Sequence, residues 1–316
     1  MRALVYLLVV AVFAPTVALA QPRQPRQRQR QQQPAGGGDA TAAAPTLADL
    51  ATIVPKLQSA NADEVREAID LLSVIDRPEV VPPLAALLRS GQPDAITDRA
   101  IEALGGLAHP SAIGVLGDFT HHRRPGARRR AYQALSAIRD NRVPRLLQQG
   151  LRDSDRSVRG AVALALGDIG ARDAIDILFR AFDRGVLEAA IAIGKLGDPR
   201  SVARFNEYLG HQALSVMLSG YEQYLKRRDI PEAVKLDIVA RLGEVSGGTV
   251  KRFLQDILAT FEARDRGAVR RAVEETIRRI PDDAPQRPTP PPAAPPAAAA
   301  PPAAATPAPA AAGGAR

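Results

Sequence analysis

Apolar and polar positions alternate with a helical period along most of this chain. Within residues 158–182, Val158, Ala161, Val162, Ala165 and Ile169 fall at i, i+3, i+4, i+7 and i+11. That spacing puts them on one face of a helix. A second face follows at Ile175, Leu178, Phe179 and Phe182. Gly167 and Gly170 lie between and read as the punctuation of a tight turn. The segment is therefore two amphipathic helices folded back on each other. It returns in looser form at 98–116, 128–147 and 187–205, spaced by about 30 residues. A period of that length predicts stacked helical pairs instead of one globular core.

The turn residues keep the same register. Pro78, Pro110 and Pro199 stand where a second helix begins. Proline suits that place because the first helical residue has no intrahelical use for its N–H. Asp198 precedes Pro199 as an N-cap, and His109 precedes Pro110 as a cap. Arg142 and Arg172 take the equivalent position where proline is missing, so the intervals are 32, 32, 30 and 27 residues. Thr46 and Asp49 make a capping box before a first helix. After Tyr208 the pattern loosens into helices at 212–227, 232–245, 250–263 and 267–279, longer and out of register. Terminal repeats need a polar outer face, which Arg270, Arg271, Glu274, Glu275, Arg278 and Arg279 supply. No run alternates apolar and polar as a strand does. The expectation is an all-α fold, a right-handed α-solenoid of about seven helical pairs over residues 46–280.

Repeats of the form x-V-R-x-x-A-x-x-A-L-G-x-I-G-x-x-x-A-I-x-x-L resemble the HEAT family, in particular its short PBS-lyase HEAT-like form with an armadillo-type fold. The match is fullest at 155–182, through Asp155, Val158, Arg159, Ala165, Leu166, Gly167, Ile169 and Gly170. It is fair at 95–116 and 127–147; at 186–205 the first helix is shortened and the Val-Arg pair is missing. Residues 63–209 carry the resemblance well and 212–280 poorly. It implies a scaffold for protein partners. It also brings in three enzyme classes built on related arrays: di-iron hydroxylases with paired His-Glu motifs, bilin lyases and isomerases, and DNA glycosylases.

Composition narrows these alternatives. Hydrophobic residues are 46% and aromatics only 4%, with no Trp, so Ala, Leu, Val and Ile must fill the core. Cysteine is absent, which excludes disulfides, thiolate zinc sites, cysteine nucleophiles and a lipoprotein anchor. The four histidines, His109, His121, His122 and His211, include none followed by Glu. Adjacent helical residues such as His121 and His122 point about 100° apart and do not easily share one metal. There is no phosphate loop, because Gly36-Gly37-Gly38 lacks a following Lys-Ser or Lys-Thr, and no G-x-S-x-G elbow. The expectation is no catalytic residue, no metal site, no cofactor and a chain that is not an enzyme. Nucleic acid is disfavoured as a partner by the scarcity of aromatics and by the leader.

That leader is residues 1–20. Arg2 gives a positive start, residues 3–13 are uninterruptedly apolar, Pro15 breaks the run, and Ala18-Leu19-Ala20 is a small-x-small cleavage pattern. These are the marks of an export signal, and 11 apolar residues are short of the roughly 20 of a membrane span. The expected location is periplasmic or secreted, with no transmembrane anchor after cleavage. Residues 21–45 form a Gln/Arg/Pro/Gly-rich arm carrying Arg23, Arg26, Arg28 and Arg30; residues 281–316 form a Pro/Ala tail. The arm lacks the apolar content needed to offset ordering entropy and reads as disordered; in the tail proline removes donors and fixes φ, so it reads as extended polyproline-II or disordered.

The net charge is +8 with a pI near 10.2, and nearly all the cations are Arg. Five fall within eight residues: Arg123, Arg124, Arg128, Arg129 and Arg130. Like charges this dense repel unless an anion is near, so they read either as an anion or partner site or as a solvated loop neutralised by neighbours such as Asp118 and Asp140. The leading expectation is a scaffold that binds a protein along the groove of the second helices. The groove candidates are Arg145, Gln148, Gln149, Asp176, Arg180, Arg204 and Glu207. The alternative is an electrostatic binder of anionic envelope polymer or lipid through the arginines.

Overall fold

A computed structural model describes residues 46–281 except 263 and 265. The leader, the arginine-bearing arm and, past Pro281, the Pro/Ala tail lie outside the described residues. A 3₁₀ turn at Leu47–Asp49 opens the chain, with the Asp49 carboxylate accepting from both the N–H and the hydroxyl of Thr46. The α-helices are α1 Leu50–Ile53, α2 Ala62–Ser73, α3 Val81–Arg89, α4 Asp94–Leu107, α5 Ile113–Phe119, α6 Pro125–Ala137, α7 Val143–Gly150 and α8 Arg156–Asp168. They continue as α9 Ile175–Asp183, α10 Ala189–Leu196, α11 Pro199–Asn206, α12 Leu214–Lys226, α13 Glu232–Val245, α14 Gly248–Ala259 and α15 Ala268–Arg279. Among the described residues the only β feature is an isolated bridge between Leu209 and Gln212.

The caps explain these starts. Asp155 accepts from the N–H groups of Ser157 and Val158 at the head of α8, and Asp198 does so from Ser201 ahead of α11. His109 caps the 3₁₀ turn before α5 by accepting from the Ser111 N–H at 3.2 Å. Pro78 and Pro110 begin 3₁₀ turns that lead into α3 and α5, whereas Pro199 is the first residue of α11 itself.

The helices fall into two layers. The first helices of the pairs, α2, α4, α6, α8, α10 and α12, pack in sequence against one another, and each of α3, α5, α7 and α9 packs against a first helix. The A-L-G motif is what brings the first helices together. A Cβ on Gly105 would lie 2.9 Å from Cα of Ala134; on Gly167, 3.0 Å from Cα of Ala192; on Gly194, 2.3 Å from the carbonyl oxygen of Gly220. The glycine of one repeat thus rests on the small residue two places earlier in the motif of the next. Gly167 is therefore an interhelical contact inside α8 and not a break in the chain. Gly170 alone makes the turn, at φ +75. A shallow surface at each glycine also explains the short side chains of the core, because adjacent backbones leave no room for longer ones.

The register changes after α12. This helix stacks on α10 but touches α13 and α14 only lightly, while α13 packs on α15. The Leu-Gly signature recurs at this second start, where a Cβ on Gly243 would come within 3.1 Å of Thr276 Cγ2 on α15. Among the described residues, five pairs run from α2/α3 to α10/α11, and α12 then lacks a second helix, so stacking restarts with the pair α13/α14 and ends on α15: six complete pairs where about seven are expected.

Ahead of this junction, aromatics tie α9, α11 and α12 together. Tyr221, Tyr224, Phe179, Phe182 and Phe205 are among the largest fully buried side chains. Their two hydroxyls differ in circumstance. Tyr221 donates to Asn206 Oδ1 at 2.8 Å, whereas the Tyr224 hydroxyl is buried with no partner. Burial pushes both phenols well above the usual range. Tyr224→Phe is therefore expected to be neutral or to stabilise by about 1 kcal/mol, since it deletes an unsatisfied polar atom. Tyr221→Phe leaves the Asn206 Oδ1 without its donor and should cost about 1–2 kcal/mol. Urea midpoints of the two variants test this contrast, and it is overturned if Tyr224→Phe proves the more damaging.

Candidate interaction surface

The second helices bury one side and leave the other to solvent. On α7, Arg145 and Gln149 are exposed and Gln148 is half-buried; on α9, Asp176 and Arg180 are exposed; on α11 and its C-cap, Arg204 is half-buried and Glu207 exposed. These seven residues do not act as one set. Asp176 and Arg204 are joined across α9 and α11 by an ion pair at 3.4 Å. The Arg204 guanidinium lies 4.1 Å over the ring of Phe179. Among the described residues, Arg145, Gln148, Gln149, Arg180 and Glu207 make no such bond.

Around Arg204 the structure assembles residues that periodicity did not single out. Tyr208, just past α11, stacks on Phe179 and tilts against Phe182, with centroids 6.2 and 4.9 Å away. Its hydroxyl donates to Asp183 Oδ1 at 2.5 Å. Burial first, and the Asp183 bond second, push its pKa up to about 12. The result is an arginine and a tyrosine whose rotamers are fixed on an aromatic floor, each tied to an aspartate on α9.

Beyond α11 the layer opens. Asn206, 9% exposed, accepts from Tyr221 and donates to Asp237 Oδ2 at 3.1 Å, which Arg241 also reaches at 2.9 Å. This network underlies a hollow of ≈ 450 Å³ between α11 and α13, floored by Val202, Ala203 and Val234 and rimmed by Glu207.

The arginine run at the head of α6 is mostly committed to ion pairs. Arg124 lies 2.9 Å from both Asp94 and Asp98. Arg130 reaches Asp98 at 3.3 Å and Glu102 at 3.0 Å. Arg128 forks onto Asp153 at 2.8 and 2.7 Å and also donates to the His122 and Arg123 carbonyls. The neutralising acids are thus Asp94, Asp98, Glu102 and Asp153, in the flanking repeats. Asp140, one of the expected neighbours, is occupied by Arg142 and held at about 2 by it. Arg123 and Arg129 make no ion pair among the described residues. His122 stacks on Phe119, and its ring nitrogen accepts from the Arg124 N–H. Among the described residues no three His, Asp or Glu side chains converge as metal ligands, and no helix is long and apolar enough to cross a membrane.

Comparison with known proteins agrees with this architecture. The HEAT repeats family model matches residues 81–155 and 144–226. Among solved structures, a homology model of the full-length AP-3 complex in an intermediate open conformation is similar at 14% identity and TM-score 0.51, over 73% of this chain and 50% of that one. The complex of CpcE and CpcF of phycocyanin lyase from Nostoc sp. PCC7120 matches at 19% identity and TM-score 0.41, over 79% and 99%. A designed armadillo repeat protein in complex with the peptide (KR)4 matches at 16% identity and TM-score 0.35, over 74% and 100%. No curated protein matches significantly. With their stacked helical pairs, their small-residue contacts and the two family matches, residues 81–226 are HEAT repeats, and the described part of the chain is an α-solenoid.

Proposed function

We propose that the protein is a non-enzymatic scaffold acting outside the cytoplasm, holding a protein partner on the groove of its second helices. HEAT and armadillo repeats commonly mediate protein interaction, and extended faces of stacked repeats are what such architectures offer. The observation that carries the reading is the Arg204–Tyr208 constellation. Interfaces take most of their energy from a few Arg, Tyr and Trp side chains seated in preformed surroundings. Here an arginine and a tyrosine are already immobilised on Phe179 and Phe182, so their ordering cost is met before binding. The export features of residues 1–20 support the location.

The competing reading, capture of anionic envelope polymer or lipid, is left with Arg123 and Arg129 in the folded part, since Arg124, Arg128 and Arg130 are engaged. Salt separates the two. Exposed charges are screened beyond a few Å near 0.5 M, whereas a seated aromatic contact persists. Immobilised protein exposed to envelope extract of its source is expected to retain one protein near stoichiometry past that salt step. Replacing Tyr208 by Ala, with the helical circular dichroism preserved, should lower retention at least tenfold, a loss of about 1.4 kcal/mol or more. Unchanged retention by Tyr208→Ala, or elution of everything by the salt step, sinks the reading.

A further inference from the structure

Away from the groove, the α12–α13 turn and the start of α15 border a second, open hollow of ≈ 450 Å³. Its acids are occupied. Asp229 is gripped by the Arg227 fork at 2.9 and 2.6 Å and met by Arg172 at 3.3 Å. Glu232 accepts from the Ala268 N–H at 3.0 Å. Arg270, one of the cations, is held by Glu274 and by the Glu262 carbonyl. Two lining cations remain with neither a hydrogen bond nor an ion pair among the described residues: Arg228, exposed, and Lys235, half-buried. The rest of the lining is largely apolar, from Ile230, Phe261 and Val269.

Lys235 is the informative group. A half-buried ammonium with no direct ion pair among the described residues holds its charge at a cost. Burial pulls its pKa below the ordinary lysine value, opposed by Asp229 and Glu232 and assisted by Arg227. An anion placed in the hollow would relieve that cost. The Arg228 guanidinium, lining the same hollow, offers the fork that suits a carboxylate. A hollow of this volume, with an apolar wall beside its charged groups, is large enough to seat a small ligand.

We propose that this hollow binds a carboxylate carried on an apolar body, its charge between Lys235 and Arg228 and its apolar part against Phe261 and Val269. This goes beyond the scaffold reading and does not depend on it. The test uses the full chain, with N-acetylphenylalanine, N-acetylphenylalaninamide and inorganic phosphate as probes in isothermal titration. The acid is expected to bind at millimolar concentration or tighter, with the amide and phosphate at least about tenfold weaker. Lys235→Met and Arg228→Gln should each weaken the acid by a similar factor. In the wild type the Lys235 ammonium, followed by NMR, should show a higher pKa when the acid is bound, because a paired charge is favoured. That readout needs no variant to fold. The proposal is overturned if the amide or phosphate binds as well as the acid, if the exposed Arg228→Gln change and Lys235→Met both leave binding intact, or if the Lys235 pKa does not rise.

Discussion

Gly194→Ala is expected to destabilise the protein by about 3 kcal/mol, the upper end of what overpacking costs. The added methyl would lie 2.3 Å from the Gly220 carbonyl oxygen and 2.7 Å from Gln223 Cβ. The first of these is backbone, which cannot rotate away, so α10 and α12 must separate. Separation also pulls on Arg227, which donates to the carbonyls of Gly194 and Gly197 at 3.0 and 2.6 Å. The control is Gly106→Ala on α4, where a Cβ meets nothing within 4 Å. There the helix gains propensity, and stability should rise by about 0.5–1 kcal/mol. The two changes are the same chemical event, so opposite signs in urea unfolding isolate the contact. Hydrogen exchange should place the Gly194→Ala loss in α10 and α12, since repeats are stabilised by nearest neighbours. Equal small effects at both positions would refute the stacking role given to the motif.

The helices themselves were legible in the sequence because each carries its own apolar stripe. Residues 232–245 were bounded to the residue, and the 212–227 helix within two at its start. Periodicity says which face is buried but not against what. For that reason Gly167 read as a turn signal, although it lies inside the last turn of α8 with Ala192 beneath it. The missing second helix after α12 escaped for a related reason. A lost element leaves no signal of its own, and only packing shows that α13 starts a new stack.

The site was less legible, because its partners are one repeat apart and not adjacent. Arg128 meets Asp153 across 25 residues, Arg124 meets Asp98 across 26, and Arg204 meets Asp176 across 28. Tyr208 and Asp183 are likewise 25 apart. A dense arginine run looks unbalanced when its neutralising acids are sought in the same loop. Sought one period away, they appear at once. The aromatic floor around Arg204 follows the same rule, since Phe179 lies on α9 and Tyr208 just past α11, the next second helix. What no period could reveal is which side chains are left over, because that depends on the geometry of the turns that hold Lys235 and Arg228.

Arg128→Ala should be the most damaging change in the arginine run, at about 3 kcal/mol, because it leaves the Asp153 carboxylate buried and unpaired. Asp153 is 7% exposed and Arg128 12%. Burial alone would raise the Asp153 pKa, but the Arg128 hydrogen bonds and the Asp155 amide outweigh it and hold the carboxyl below its ordinary value. A carboxyl lowered on folding contributes stability that is present above its unfolded pKa of about 3.9 and is lost as pH falls through the folded value. Without Arg128, burial is left to dominate, so the folded pKa moves up and the variant no longer gains from ionisation. The stability gap between wild type and Arg128→Ala is therefore expected to be full at pH 7, to narrow as pH falls below about 4 and to close only below the lowered folded pKa, where Asp153 is neutral in both. Arg123→Ala, which removes an exposed guanidinium without an ion pair, should change stability by no more than about 0.5 kcal/mol. Denaturant titrations of the three proteins at pH 7 and pH 3 decide the matter. A gap that stays constant with pH would mean that Arg128 acts through its hydrogen bonds to the His122 and Arg123 carbonyls alone. In that case the run would cap the α5–α6 turn without electrostatically joining one repeat to the next.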